Sequence, residues 1–304
     1  MRITLRQLRY LDALAIEGHF GRAAERAAVS QPALSAQIRE LEEALGCQLI
    51  ERAASGARLT PAGQDIVGRG RRILAEVEDL ETFAHAAADP TVGSLRLGII
   101  PSIGPYLLPR LLPALSESFP ALKVGVRETV TAGLVGELQA GAIDLVIASL
   151  PLGDPSFVEV PVFTDSFLLA TPATGLLSLG AFDRAADIPT EALLLLEDGH
   201  CLRDQTLASC GALDARRLTR AGVTSLATIL QLVAAGQGIT LLPELFLAST
   251  PLDASRVRLR RFSAPEPHRS IGLAWRRSSP LSSLCERIAG LTAELKPTAG
   301  ALPA

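Results

Sequence analysis

Two cysteines nine positions apart, Cys201 and Cys210, carry the clearest chemical signal in this sequence. A thiolate is the reactive form of cysteine, and the pKa of the thiol falls near cationic groups or at a helix N-terminus. Cys201 is flanked by His200 and Arg203, and it follows an Asp-Gly pair that would open a helix. Cys201 is therefore the candidate nucleophile, and Cys210 is the candidate partner thiol.

The spacing of these two cysteines has a mechanical consequence. A thiolate that attacks a peroxide O–O bond becomes a sulfenic acid, and a second thiol converts it to a disulfide that cellular dithiols can reduce. If a helix lies between positions 201 and 210, its ends are roughly 13 Å apart at 1.5 Å per residue. A disulfide allows only about 4.4 to 6.8 Å between Cα atoms. Oxidation is therefore predicted to melt or rebuild that helix, which makes the segment a two-state switch.

A less specific interpretation stays open at this point, because two cysteines at such a spacing are more often buried apolar residues. Cys47 and Cys285 lie among apolar residues and are predicted to belong to the core, outside any switch. No further Cys and His residues stand at the spacings of a zinc site. Neither a metal nor another cofactor is expected.

The composition narrows the class of protein that carries these thiols. Four cysteines in 304 residues are too few for a secreted disulfide scaffold. With 48% hydrophobic and 20% charged residues, the chain is typical of a soluble α/β protein. No run approaches the roughly 18 consecutive apolar residues of a membrane span. We therefore expect a cytoplasmic protein that does not engage a membrane.

The net charge of −3 hides an asymmetry along the chain. Residues 1–72 contain 11 Lys and Arg against 8 Asp and Glu, whereas the remaining residues contain 18 against 24. A basic N-terminal region on an acidic body favours nucleic-acid binding by the first region.

Three short helices are predicted in the first 46 residues, of which the third is the most distinct. Ser30 can cap a helix, Pro32 is tolerated in its first turn, and Gly46 suits its C-terminal end. The apolar stripe of this helix is Leu34, Ile38, Leu41 and Leu45, and the opposite face carries Gln31, Ser35, Gln37 and Arg39. These features predict a helix-turn-helix, and a small turn at 53–56 between extended segments predicts a β-hairpin wing. A three-helix module that merely packs has the same periodicity and remains an alternative.

A longer helix is predicted to follow the wing at residues 61–90, ending in a hinge. Apolar residues recur there every seven positions, at Ile66, Ile73, Leu80 and Ala87. Such a seam on a lone helix has nothing to bury against, so it predicts a dimer. A helix packed on its own body would give a similar pattern.

From residue 91 the pattern alternates between strands and helices, as in a parallel α/β sheet. Strands are predicted at 95–100, 122–126, 143–148, 193–196, 239–242 and 270–275, and helices at 105–118 and 225–235. Two α/β lobes follow from this pattern. Ligands of such sheets bind at the carboxyl ends of the strands, here near residues 101–104 and 128–131.

The segment "LRYLDALAIEGHFGRAAERAAVSQPALSAQIRELEEALGCQLIERAASGARLTPAG" resembles the winged helix-turn-helix of LysR-type regulators. The resemblance implies an α/β fold with an N-terminal winged helix-turn-helix (1–60), a linker helix (61–90) and a two-lobed, periplasmic-binding-protein-like regulatory domain (91–304). In that family the third helix enters the DNA major groove. By match, the DNA-contacting residues are Ser30, Gln31, Pro32, Ser35 and Arg39, with Arg52 and Arg58 in the wing.

The run "LEDGHCLRDQTLASC" resembles the redox segment of the peroxide-sensing members of this family, as do "IPSIGPYLLP" and "LVAAGQGITLLPELF". The resemblance implies that Cys201 reacts with peroxide, that Cys210 is its disulfide partner, and that His200, Arg203 and Asp204 are polar neighbours. It also implies a peroxide pocket with Ser102, Thr131 and His200. Ser102 departs from the pattern, since the best-known members carry threonine there.

The same resemblance implies a regulator that is not an enzyme and that activates antioxidant genes. Its implied partners are promoter DNA, RNA polymerase, hydrogen peroxide as the signal, cellular dithiol reductants and further copies of itself in a dimer of dimers. Two alternatives remain. One is a LysR-type regulator that binds a small metabolite in the interlobe cleft, with cysteines that have no redox role. The other is a thiol peroxidase, which would not explain the helix-turn-helix.

Overall fold

Capping residues begin and end the third helix of the protein where the sequence predicts. The structure is a computed structural model that describes residues 3–53, 56–86, 93–179, 182–211 and 222–296. Its first helices are α1 (Leu5–Glu17), α2 (Phe20–Arg26) and α3 (Gln31–Leu45). Ser30 Oγ accepts the Ala33 N–H at 3.4 Å, and Gly46 ends α3 with a φ of 70°. Leu34, Ile38 and Leu41 are fully buried, which confirms the predicted stripe.

The predicted wing is an antiparallel hairpin of β1 (Ile50–Ala53) and β2 (Gly56–Leu59). Glu42 Oε1 on α3 accepts the N–H groups of Leu49 and Ile50 at 2.8 and 3.1 Å. These bonds attach the wing to the helix that carries the predicted DNA contacts.

Helix α4 (Pro61–Ala86) follows the wing and carries the predicted apolar seam. Ile73 is 48% exposed and Leu80 is 68% exposed, while Ile66 is partly buried by the N-terminal core. Ala87 lies outside the described residues. The exposed seam residues agree with the expectation of a covering partner, and the dimer itself stays a prediction. None of the described helices is long and apolar enough to cross a membrane.

The chain divides into two compact units at residues 87 and 88, and the second contains a seven-stranded sheet. Its strands are β3 (Gly93–Ile99), β4 (Leu122–Glu128), β5 (Leu145–Leu150), β6 (Phe157–Pro172), β7 (Thr240–Pro243), β8 (Val257–Arg260) and β9 (His268–Arg276). Their order is β4-β3-β5-β9-β6-β7, and β8 also pairs with β6. Strand β3 is parallel to β4 and β5, whereas every other pairing is antiparallel.

The prediction of a parallel sheet was therefore wrong for much of this unit. The 16-residue strand β6 was not predicted, because Pro161 and Asp165 interrupt its apolar pattern. The strand predicted at 193–196 forms only an isolated bridge, from Leu193 to Ile239.

Two apolar cores define the two lobes of this unit. The helices are α5 (Gly104–Ser118), α6 (Thr131–Gln139), α7 (Cys201–Ser209), α8 (Leu226–Ala234), α9 (Glu244–Leu247) and α10 (Ser282–Glu294). Lobe 1 packs around β3 and β5 with α5 and α10, and lobe 2 packs around β7 and α8. Strand β6 contributes Phe163 to the first core and Phe167 to the second, so it connects the lobes. Tyr106 of α5 packs against both cores, and its ring meets that of Phe246 edge-on at 5.2 Å.

Candidate functional site

Helix α7 begins at Cys201, as the Asp-Gly pair before it predicts. Gly199 adopts a left-handed turn with a φ of 92°, and His200 is the N-cap residue but makes no side-chain cap bond. The first N–H groups of a helix have no intrahelical acceptor and carry a partial positive charge. Cys201 is partly buried against the core of lobe 1 and is not in a disulfide. A thiol in this position can act as a nucleophile.

Cys210 lies at the opposite end of α7, where it is the C-cap residue. It is a free thiol, 4% exposed, within the core of lobe 2. Burial raises the pKa of the Cys210 thiol to about 11. The two sulfur atoms therefore belong to opposite ends of one intact helix, and the thiols pack against different cores.

This burial predicts a specific reactivity for Cys210. Since its pKa is raised from 9.0 to about 11, its thiolate fraction at neutral pH falls about 100-fold. Alkylation of native reduced Cys210 by iodoacetamide is expected to be at least about 100-fold slower than in the urea-unfolded chain. The native rate should increase about tenfold per pH unit towards pH 11, because only the thiolate reacts. Mass spectrometry of the Cys210 peptide measures both rates, and equal rates in the two states would contradict the burial.

The guanidinium of Arg203 is directed to the segment that precedes α7. It is 7% exposed, donates to the Leu196 carbonyl at 3.1 Å and pairs with Asp198 at 2.9 Å. Arg203 thus anchors the start of α7, and its predicted influence on Cys201 stays a prediction. Asp204 is exposed on the same helix.

Of the three residues predicted for a peroxide pocket, Ser102 and His200 line one cleft between the lobes, and Thr131 is not among its lining residues. The cleft has a volume of about 280 Å³ and is also lined by Tyr106, Glu128 and Ser225. Burial and the charge of Glu128 raise the pKa of Tyr106, against an opposing effect of Arg269.

Thr131 is the first residue of α6 and stands at the carboxyl end of β4, while Ser102 follows the adjacent parallel strand β3. The two hydroxyls therefore belong to neighbouring strand ends. Thr131 Oγ1 is buried and has no hydrogen-bond partner among the described residues. Buried polar atoms are almost always paired, so an unpaired hydroxyl is a candidate ligand contact.

Gln205, which was not among the predicted site residues, lies one helical turn after Cys201. Its Nε2 donates to Ser149 Oγ at 2.5 Å and links α7 to the carboxyl end of β5. Its Oε1 is buried and lacks a hydrogen-bond partner within the described part of the chain. The spacing of four residues from Cys201 was the signal that could have identified it.

A buried ion pair beside Ser102 was likewise not predicted from the sequence. Arg269 Nη2 lies 2.8 Å from Asp165 Oδ2, and both side chains are fully buried. Arg269 Nη1 donates to Ser102 Oγ at 2.7 Å. Charged residues within the apolar strands β6 and β9 were the available signal.

The predicted DNA-contacting residues lie at the N-cap of α3, within α3 and in the wing. Ser30, Gln31, Pro32 and Arg39 are exposed, Ser35 is partly buried, and Arg58 is exposed on β2. Arg52 lies in β1, and its side chain is outside the described residues.

The two remaining cysteines lie in apolar cores. Cys285 is fully buried, and Cys47 is partly buried against the N-terminal core. In the described ranges, no group of three or more His, Cys, Asp and Glu residues could hold a metal ion.

Two family models match the chain. Residues 5–64 match the model described as a bacterial regulatory helix-turn-helix protein of the lysR family. Residues 88–295 match the model of the LysR substrate binding domain. The first match lies within the first compact unit, and the second spans most of the second unit.

Known proteins are similar over nearly the whole chain. A curated relative from Escherichia coli strain K12, described as the DNA-binding transcriptional dual regulator OxyR, is 42% identical over 289 residues, 94% of each chain. A solved full-length OxyR cysteine mutant from Pseudomonas aeruginosa is 34% identical, with a TM-score of 0.78 and full coverage of both chains. A hydrogen-peroxide-bound OxyR mutant from Corynebacterium glutamicum is 33% identical, with a TM-score of 0.60 and coverage of 97% of this chain and 92% of that one.

Proposed function

Because this chain belongs to the lysR family of bacterial helix-turn-helix regulatory proteins, we propose that it is a transcription regulator that senses hydrogen peroxide. Relatives at 40% identity or above include hydrogen-peroxide-inducible genes activators, and one similar solved structure contains hydrogen peroxide. We place its action in the cytoplasm. The metabolite-binding and peroxidase alternatives have no comparable support.

The observation that carries this proposal is a pair of unsatisfied polar atoms in the regulatory unit, one of which belongs to the Cys201 helix. Thr131 Oγ1 and Gln205 Oε1 are both buried without a hydrogen-bond partner among the described residues. Gln205 shares the Cys201 face of α7, and Thr131 stands at the same edge of the sheet as Ser102. A small molecule that both donates and accepts hydrogen bonds has the chemistry to satisfy either atom, and hydrogen peroxide is such a molecule.

The first chemical step is an attack of the Cys201 thiolate on one peroxide oxygen. The S–O bond forms and the O–O bond breaks, so sulfur loses two electrons and the second oxygen leaves as hydroxide, which takes a proton to become water. In the second step the Cys210 sulfur attacks the sulfenic sulfur. The S–S bond forms, the S–O bond breaks, and hydroxide leaves with the Cys210 proton as water. Cellular dithiols reverse the oxidation by thiol–disulfide exchange.

Counting free thiols after treatment with one equivalent of hydrogen peroxide tests this function. The parent protein is expected to lose two of its four thiols, whereas Cys201→Ser is expected to lose none rapidly. Cys47→Ser and Cys285→Ser are matched controls, and each should still lose two. A parent protein that keeps all four thiols would exclude the sensor and leave the metabolite-responsive regulator.

We propose that the N-terminal unit binds promoter DNA through α3 and the wing, and that the protein acts on RNA polymerase as a dimer of dimers. The exposed polar face of α3 and the exposed seam residues of α4 support these assignments. The division into residues 1–60, 61–90 and 91–304 is part of this proposal.

Arg39→Ala is expected to weaken binding to a promoter fragment identified by footprinting by about tenfold, because an arginine contact to a base edge contributes about 1–3 kcal/mol. Fluorescence anisotropy at several salt concentrations measures this loss. If Arg39 contacts a base, its loss should reduce discrimination between DNA sequences. If it contacts a phosphate, its loss should lower the slope of affinity against salt concentration by about one. Arg256→Ala, an exposed arginine of the regulatory unit, is the control. Unchanged affinity of Arg39→Ala would remove Arg39 from the interface.

A further inference from the structure

Both carboxylate oxygens of Asp165 are hydrogen-bonded, one to Arg269 and the other to a backbone N–H. Arg269 Nε donates to Asp165 Oδ2 at 2.9 Å, and Nη2 lies 2.8 Å from the same oxygen. Asp165 Oδ1 accepts the backbone N–H of Leu245 at 2.9 Å. Both charged side chains are completely buried. Desolvation makes such a pair a poor device for stability alone, whereas its geometry fixes the plane of the guanidinium.

Arg269 in turn holds Ser102 at two atoms. Nη1 donates to Ser102 Oγ at 2.7 Å, and Nη2 donates to the carbonyl oxygen of Ser102 at 3.1 Å. A guanidinium has no acceptor, so the hydroxyl hydrogen of Ser102 cannot be donated to Arg269. The hydroxyl hydrogen is therefore available to another acceptor. Such an acceptor could be bound in the cleft, which is lined by both Ser102 and His200.

The orientation of the Ser102 hydroxyl depends on these bonds from Arg269. Threonine has a Cβ methyl group that restricts χ1, and serine lacks it. A bond from Arg269 to Oγ, together with the bond to the carbonyl of the same residue, holds Ser102 in one orientation without the methyl group.

We propose that Asp165 is a positioning residue for the reaction of Cys201 with peroxide. It holds Arg269, and Arg269 holds Ser102 so that the Ser102 hydroxyl donates to the peroxide in the cleft. This inference rests on the proposed function. As the thiolate attacks and the O–O bond breaks, negative charge develops on the departing oxygen, and a fixed donor stabilises that charge.

The test compares two reactions of Cys201 in the full-length reduced protein at one pH. Hydrogen peroxide requires a donor to the departing oxygen, whereas iodoacetamide reports the thiolate and its accessibility. Asp165→Asn is expected to lower the rate with hydrogen peroxide by tenfold or more and to change the rate with iodoacetamide by less than twofold. Asp144→Asn removes a different ion-paired carboxylate, the partner of Arg96, and is expected to change neither rate.

A second pair of variants keeps the test informative if Asp165→Asn does not fold. Arg269→Lys keeps a positive charge beside Asp165 but cannot bond both atoms of Ser102, so the same selective loss is expected. Adding Ser102→Thr to either variant is expected to restore most of the peroxide rate, because the methyl group again restricts the hydroxyl.

The outcomes separate this inference from the proposed function. A parent protein whose Cys201 does not react with peroxide overturns the proposed function. A reactive parent, with an unchanged ratio of the two rates in Asp165→Asn and Arg269→Lys, overturns only the positioning role. If the variants lose reactivity with both hydrogen peroxide and iodoacetamide, and Ser102→Thr does not restore it, the Asp165–Arg269 pair is merely structural. That result also overturns the positioning role.

Discussion

Oxidation by one equivalent of hydrogen peroxide is expected to increase amide hydrogen exchange within α7 by at least about 100-fold. The nine residues of the helix, Cys201–Ser209, put Cys201 and Cys210 roughly 13 Å apart along the axis. A disulfide requires about 4.4 to 6.8 Å between Cα atoms, so α7 cannot keep its hydrogen bonds once the sulfurs join. A loss of about 3 kcal/mol of local protection corresponds to this increase in exchange.

Cys210→Ser is the matched control for this prediction. Its Cys201 can still be oxidised to the sulfenic acid, but no disulfide can form, so α7 should keep its protection. Helix α1 serves as an internal reference, because it packs in the core of the other compact unit. Equal exchange of α7 in the reduced and the disulfide-bonded parent would disprove the switch even if both thiols were lost.

Rearrangement of α7 would displace Gln205, and this displacement would transmit the change to lobe 1. Its bond to Ser149 joins α7 to the end of β5, and Cys210 must leave the core of lobe 2 to meet Cys201. Disulfide formation therefore changes contacts of both lobes at once. Packed cores shift between discrete arrangements, so a local reaction can alter the whole regulatory unit.

Thr131→Val is expected to slow the oxidation of Cys201 by hydrogen peroxide by roughly 100-fold. Valine preserves the shape of the side chain and removes the buried, unpartnered hydroxyl. Removal of one preorganised donor from a charge-stabilising site typically lowers a rate by about 100- to 1,000-fold. Rapid-mixing kinetics with a quench of the free thiol measures the second-order rate constant.

The control for Thr131→Val is Thr164→Val, which makes the same chemical change at an exposed position of β6. It should react like the parent. The iodoacetamide rate of Thr131→Val should also match the parent, since the substitution leaves the Cys201 thiolate in place. A peroxide rate of Thr131→Val within twofold of the parent would remove Thr131 from the peroxide site.

The sequence by itself determined the features that depend on residues close together in the chain. The stripe of Leu34, Ile38 and Leu41, with Ser30 before it and Gly46 after it, specified α3, because helix caps and periodicity are local properties. The Asp198-Gly199 pair likewise indicated the start of a helix, and the spacing of Cys201 and Cys210 implied that their disulfide would break any helix between them.

Only the tertiary structure decided which distant side chains meet beside the cleft and beside α7. Ser102 and Arg269 are 167 positions apart, and Ser149 and Gln205 are 56 apart, so neither pair leaves a periodic trace in the sequence. The antiparallel course of β6 was likewise set by pairing between distant segments. Burial of Cys210 is decided by the core of lobe 2 as a whole, and that burial determines its raised pKa. Local patterns specify elements, whereas a site is assembled by contacts whose partners the chain order does not reveal.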